Sequence, residues 1–168
     1  MPRTSYAIAL GSNRRSRFGS PVETVRRAAD AIAAVRLSRI RATPALGPAG
    51  RAFANAAALI ESELQPLELL AALKRIERDT GRRGGRRWGP RVLDLDIILW
   101  SEGAWAGAGV VVPHPSFRER RFVLEPLAEI APDWRDPIGG ATVRQLLARL
   151  AHPRPLDAPP VDPNAARS

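Results

Sequence analysis

Val92-Leu93-Asp94-Leu95-Asp96-Ile97-Ile98-Leu99-Trp100 is the clearest strand in the chain. Side chains alternate across a strand, so Asp94 and Asp96 share one face. Leu93, Leu95, Ile97 and Leu99 are expected on the other face, in apolar packing. Two residues apart at strand rise, the aspartate Cα atoms lie roughly 6.5–7 Å from each other. Like charges that close repel, and burial would force one carboxyl to keep its proton unless a cation intervenes. No lysine or arginine alternates with them on this strand. A hard, oxygen-loving cation fits such a pair, Mg²⁺ best of all.

Upstream, residues 82–91 hold five arginines in ten positions, with Gly84 and Gly85 between them. Five guanidinium groups exceed what two carboxylates need as partners. Acid pair and basic loop together suit a polyphosphate gripped by metal and arginines, the neutralisation that phosphoryl transfer requires. The glycines would let the loop close over a substrate and exclude water. A solvated basic loop beside a half-exposed strand is the plainer alternative, and Asp-x-Asp alone also occurs in glycosyltransferases and nucleases.

The remaining elements fall in place around this strand. Ser5 to Leu10 reads as a short buried strand stopped by Gly11-Ser12-Asn13. Ser20-Pro21-Val22-Glu23 is a capping box with proline at the first helical position. Val22, Val25, Ala29, Ile32 and Ala33 then line one helical face. Leu37 to Thr43 reads as a second strand and Phe53 to Leu64 as a third, with Phe53, Asn55, Ala57, Leu59 and Glu61 on one side. Pro66 opens a second helix with Leu69, Leu70, Leu73 and Ile76 inward and Gly81 at its end. The order is β-α-β-β-α-β, which predicts an α+β, ferredoxin-like core: an antiparallel sheet with packed helices, followed by a C-terminal extension. In the extension, Val110 to Val112 adds a short strand, and Thr142-Val143-Arg144-Gln145 is a second capping box opening a helix through Leu146, Leu147 and Leu150. Residues 1–151 are expected to form one domain, and the proline-rich tail 152–168 to be disordered.

Composition closes several function classes. The chain has 168 residues, 45% of them apolar, enough for a single core. The formal charge is +9, and all but one of the 26 basic residues are arginines. Arginine's flat fork of donors suits phosphate, though 28 alanines beside those arginines also fit codon bias alone. Without cysteine there is no thiolate nucleophile, disulfide or zinc-cysteine site. Two histidines, His114 and His152, exclude a three-histidine metal site. The longest apolar stretch near the start, Tyr6 to Leu10, is too short for a signal peptide or a membrane span, so a cytoplasmic protein is expected, with no membrane partner. RNA binding is the competing class, given the high pI and a sheet of this type. Against it, the clearest strand presents two aspartates rather than aromatics, and no nucleic-acid partner is expected.

Arg87-Trp88-Gly89-Pro90-Arg91-Val92-Leu93-Asp94-Leu95-Asp96-Ile97 resembles the signature of the 6-hydroxymethyl-7,8-dihydropterin pyrophosphokinase family. Other motifs follow in that family's order: Ala9-Leu10-Gly11-Ser12-Asn13, Thr43-Pro44 with Leu46-Gly47-Pro48, Phe53-Ala54-Asn55, Leu69-Leu70 through Ile76-Glu77, Gly81-Arg82, Val112-Pro113-His114-Pro115, and Arg120-Arg121-Phe122-Val123-Leu124. The likeness runs from about residue 6 to about residue 151. It implies transfer of pyrophosphate from ATP to the hydroxymethyl oxygen of a reduced pterin, leaving AMP, a step in folate synthesis. By that likeness Asp94 and Asp96 would hold two Mg²⁺ ions bridging the ATP phosphates. Arg82 and Arg91 would contact phosphates, and His114, Arg120, Glu77, Arg87, Trp88 and Ile97 would serve the nucleotide side. Phe53 and Phe122 would sandwich the flat pterin, Asn55 would bond its edge, and Thr43 and Leu46 would complete that pocket. ATP and the pterin are the expected partners, and a monomer is the expected state.

The chain departs from the family's pattern in three places. Arg14-Arg15-Ser16-Arg17-Phe18-Gly19 is longer and more basic than the usual loop. Arg41 and Ala42 stand where a tyrosine is common. The Gly103–Gly109 loop lacks a basic residue that some members carry.

Overall fold

The computed structural model describes residues 2–43, 52–81 and 92–151. Its centre is strand β1 (Thr4–Ser12), which pairs antiparallel on both sides, with β4 (Phe53–Ser62) and with β5 (Asp94–Trp100). The far side of β4 carries two short strands, β2 (Arg36–Leu37) and β3 (Arg41–Thr43). The sheet therefore runs β2/β3, β4, β1, β5, and every pairing in it is antiparallel.

Period-two alternation along β1 separates two apolar layers. Tyr6, Ile8 and Leu10 face helices α1 (Pro21–Ala31) and α2 (Pro66–Gly81), among Val25, Ala29, Leu69 and Leu73. Ala7 and Ala9 face the other way, toward α3 (Arg121–Ile130) and α4 (Val143–Ala151), where Phe117, Leu124, Leu127 and Val143 are buried. Both predicted capping boxes form. Ser20 Oγ accepts the Glu23 N–H at 3.3 Å while Glu23 Oε2 accepts the Ser20 N–H at 2.6 Å. Thr142 and Gln145 exchange the same pair of bonds at 3.2 and 2.9 Å.

The structure corrects the sequence reading at several points. The second strand is two strands, because Ser38 interrupts it. The Ser38 hydroxyl accepts the Ala57 N–H at 2.9 Å, a donor that a continuous ladder would give to a backbone carbonyl. Leu99 is not on the face of Leu93, Leu95 and Ile97. The β1–β5 register shifts between Ala7 and Ile8, pairing Ala7 with Leu99 but Ile8 with Ile97, so Ile98 is an extra residue. The bulge turns Ile98 and Leu99 toward the α3–α4 layer and returns Trp100 to the opposite one, stacked on Tyr6 with ring centroids 5.9 Å apart. Ala33 is outside α1 and exposed, with φ 53°. Its N–H bonds to the Asp30 carbonyl, and that of Ala34 to Ala29, which closes the helix in a Schellman turn. The glycine-rich segment before Val110 contains a strand, β6 (Trp105–Gly107), which pairs with β7 (Val110–Val112) in a separate hairpin turned at Ala108-Gly109. No helix among the described residues is long and apolar enough to cross a membrane.

Candidate active site

α3 does not cover the whole of its sheet face. At the Gly11 end of β1 a cleft of about 400 Å³ stays open, within the usual size for a small-molecule site. Its floor is laid by the strands in register. Gly11 stands between Asp94 on β5 and Asn55 on β4, and Ala9 stands beside Asp96. Glycine and alanine on the central strand keep this floor low. A Cβ on residue 11 would lie 3.2 Å from the Asn55 amide oxygen. One strand further out, Thr43 pairs with Phe53. The walls come from Ser12 and Asn13 at the end of β1 and from Arg120, Phe122 and Val123 at the start of α3.

Asp94, Asp96, Arg120, Thr43, Phe53, Asn55 and Phe122 thus come together around one cleft. The two rings are unusually open for phenylalanine, 45% exposed for Phe53 and 53% for Phe122. Core phenylalanines are closed over, as Phe117 is here, so these rings offer faces to a flat ligand. The Arg120 guanidinium sits 5.8 Å from the Phe122 ring centroid. Asp94 is exposed and Asp96 half-buried, both directed into the cleft.

The remaining expected site residues sit elsewhere. His114 is outside the cleft lining. Burial pushes its imidazole below the usual value, the nearby Asp96 carboxylate pulls it back up, and Arg120 lowers it further. Its Nδ1 accepts the Ser116 N–H at 3.1 Å, so in the neutral ring the proton is on Nε2. Glu77, on α2, reaches under the edge of β5. One carboxylate oxygen accepts the Leu95 N–H at 2.8 Å and the other accepts from Lys74 at 3.3 Å. The Ile97 side chain is buried in the α1–α2 layer. Leu46, Arg82, Arg87, Trp88 and Arg91 lie outside the described residues.

Sequence reasoning passed over Ala9, Gly11, Ser12 and Asn13 as cleft residues. The alternation that buries Ile8 and Leu10 also aims Ala9 and Gly11 at the aspartate face, and that was the available signal. The basic loop after Asn13 contributes little to the cleft. It closes on itself through a Ser16–Gly19 bridge, and the guanidinium groups of Arg17 and Arg27 stand 4.7 and 4.9 Å from the Phe18 ring centroid.

Asp94 and Asp96 are the two carboxylates in the cleft lining. Among the described residues no cluster of three or more His, Cys, Asp or Glu groups forms. Two oxygen donors at the rim of an open cleft fit an ion that keeps its water and takes phosphate oxygens from a substrate, as Mg²⁺ does, better than one caged wholly by protein.

The family model for 7,8-dihydro-6-hydroxymethylpterin-pyrophosphokinase matches residues 7–132. A 2-amino-4-hydroxy-6-hydroxymethyldihydropteridine pyrophosphokinase of Synechocystis is 43% identical over 106 residues, which make up 63% of this chain and 54% of that one. An enzyme of the same name from Pseudomonas aeruginosa is 42% identical over 139 residues, 79% of this chain and 83% of that one. The fold is similar to that of Plasmodium falciparum HPPK-DHPS, with a TM-score of 0.69 at 12% identity, covering 90% of this chain and 46% of that one. The chain thus spans about half the length of some of the proteins it matches.

Proposed function

The chain belongs to the 7,8-dihydro-6-hydroxymethylpterin-pyrophosphokinase family, and on that basis we propose that it transfers pyrophosphate from ATP to the hydroxymethyl group of 6-hydroxymethyl-7,8-dihydropterin, a step in folate synthesis. The observation that carries this reading is one cleft with two halves. Asp94 and Asp96 occupy one side, and Asn55 with the open rings of Phe53 and Phe122 occupies the other. A polyphosphate and a flat heterocycle would meet between them.

In the reaction, the hydroxymethyl oxygen attacks the β-phosphorus of ATP. The new bond joins that oxygen to phosphorus, the bridge to the α-phosphate breaks with its electron pair staying on the departing AMP, and the hydroxyl proton passes to solvent water. Phe53 and Phe122 would stack on the two faces of the pterin, and Asn55, with a donor and an acceptor on one amide, would read its edge. Stacking and edge recognition orient the hydroxymethyl arm toward the aspartate side, and such alignment lowers the entropic part of the barrier. Asp94 and Asp96 would hold Mg²⁺, two ions by the family likeness, which supplies neutralisation of the phosphate charge. Arg120, at the start of α3, adds a positive charge to the cleft lining. Its register with Arg82 and Arg91, whose phosphate contacts rest on the likeness alone, lies beyond the described residues.

The strand order β5, β1, β4, then β2 and β3, supports a ferredoxin-like reading of the sheet, with β6, β7, α3 and α4 as the extension. We read residues 1–151 as the catalytic unit, acting as a monomer in the cytoplasm.

Incubation with ATP, Mg²⁺ and the reduced pterin tests the proposal, with AMP and the pterin diphosphate as expected products. ADP as the main nucleotide, or no turnover, would overturn it. Asp96→Ala should abolish turnover while the circular dichroism spectrum stays native.

A further inference from the structure

Arg41 ties the edge of the sheet to α3. Its guanidinium donates to Glu129 at 3.3 Å and lies 3.7 Å from Glu125. Glu129 also accepts the Arg39 backbone N–H, at 3.0 Å. The start of β3 is therefore fastened to α3 by three contacts, from Arg41 and the Arg39 amide to Glu125 and Glu129. Both partners stand in informative places. In the β3–β4 register Arg41 is opposite Asn55, and Thr43 is opposite Phe53. Arg41 is thus the outer neighbour of the amide on the cleft floor, as Gly11 is its inner neighbour. On α3, Glu125 follows Phe122 by three residues, which puts them on adjoining parts of the helix surface. A shift of α3 relative to β3 would carry Phe122 with it and break the Arg41 pairs.

These ion pairs contribute little to folding. The Arg41 side chain is 37% exposed and the two glutamates about a third, a setting in which such pairs add only small increments. Their geometry matters more, because they join the element bearing one open ring to the strand beside the other.

We propose that Arg41 is a positioning residue that fixes the gap between Phe122 on α3 and the Phe53–Asn55 wall, and so sets the width of the slot for the flat substrate. The proposal rests on the pterin reading of the cleft given above.

Steady-state kinetics of Arg41→Ala and Glu129→Gln, with ATP and Mg²⁺ saturating and the reduced pterin varied, test it. The KM for the pterin should rise about threefold to tenfold, the range expected when coupling between packed elements is lost. The kcat and the KM for ATP should stay within about twofold, and Arg41→Lys should recover part of the loss. The double variant Arg41→Ala/Glu129→Gln should be little worse than Arg41→Ala alone, since the ion pair lost at Glu129 is already gone with Arg41 and a glutamine can still accept the Arg39 N–H. A pterin KM unchanged in Arg41→Ala, or equal losses in the pterin KM, the ATP KM and kcat, would overturn the proposal and leave the functional reading standing. Wild-type protein that neither binds nor turns over the pterin would overturn both.

Discussion

Glu77 holds the amide of Leu95 at 2.8 Å, on the outer edge of β5 and midway between Asp94 and Asp96. The bond comes from a carboxylate that is mostly buried, 11% exposed. Glu77→Ala would leave that edge amide without its partner, which costs about 1–2 kcal/mol. Thermal unfolding should show a lower Tm, and calorimetric titration should show weaker binding of Mg²⁺-ATP as the aspartate strand loosens. Glu77→Gln keeps an acceptor and should retain most of both. An equal loss in the glutamine variant would mean that the charge, not the amide bond, matters.

Gly11 is the low point of the cleft floor. Gly11→Val places a branched side chain against the Asn55 amide oxygen, where even a Cβ is only 3.2 Å away. The strand tolerates valine well, so the fold should survive. Pterin affinity, followed by fluorescence titration, should fall about tenfold, equivalent to about 1.4 kcal/mol. Unchanged affinity would show that Asn55 can move aside without consequence.

Ala33 closes α1 in a conformation that favours glycine, φ 53°. Ala33→Gly should stabilise the protein by about 0.5–1 kcal/mol, or roughly 1–4 °C in Tm for a chain of this size. A lower Tm would show that the Schellman turn gains nothing from relief of its Cβ.

Arg118 and Asp136 form a two-pronged pair, with Nη2 to Oδ1 at 2.8 Å and Nε on the other oxygen, and Oδ1 also accepts the Ile138 N–H at 3.0 Å. Asp136 is 2% exposed. The guanidinium holds its carboxyl below the usual carboxylate range, against the upward push of burial. A carboxyl with a lowered folded value stabilises the protein fully above the unfolded value of about 3.9, and that contribution fades as pH falls toward the folded value. Asp136→Asn should cost about 2–4 kcal/mol at neutral pH. Its urea-unfolding free energy should also fall less steeply than that of the wild type below about pH 4. Parallel acid limbs would remove Asp136 from the pH response.

Local signals made much of this architecture legible. Two capping boxes, Pro66, the alternation of β1 and that of β5 as far as Ile97 are written in short windows and survive folding unchanged. The missed features depend on partners distant in sequence. Ser38 splits a strand because its hydroxyl meets Ala57, nineteen residues away. The bulge at Ile98 is defined only against Ala7 and Ile8. α3 begins at Arg120 without a side-chain cap and holds Pro126 in its interior, so neither its start nor its course carries the usual helix marks. In the cleft, the charged and aromatic residues stood out by type, whereas Ala9 and Gly11 contribute by smallness and are visible only once their neighbours are known.

β5 pairs with β1 alone among the described strands, which leaves its other side as the rim of the sheet. Such a rim invites a strand from another molecule, the usual beginning of aggregation. Here its Leu95 amide is already taken by Glu77, and two negative charges stand beside it. Glu77 thus occupies a donor that an incoming strand would need, and a variant lacking its carboxylate would present that amide to a neighbouring molecule.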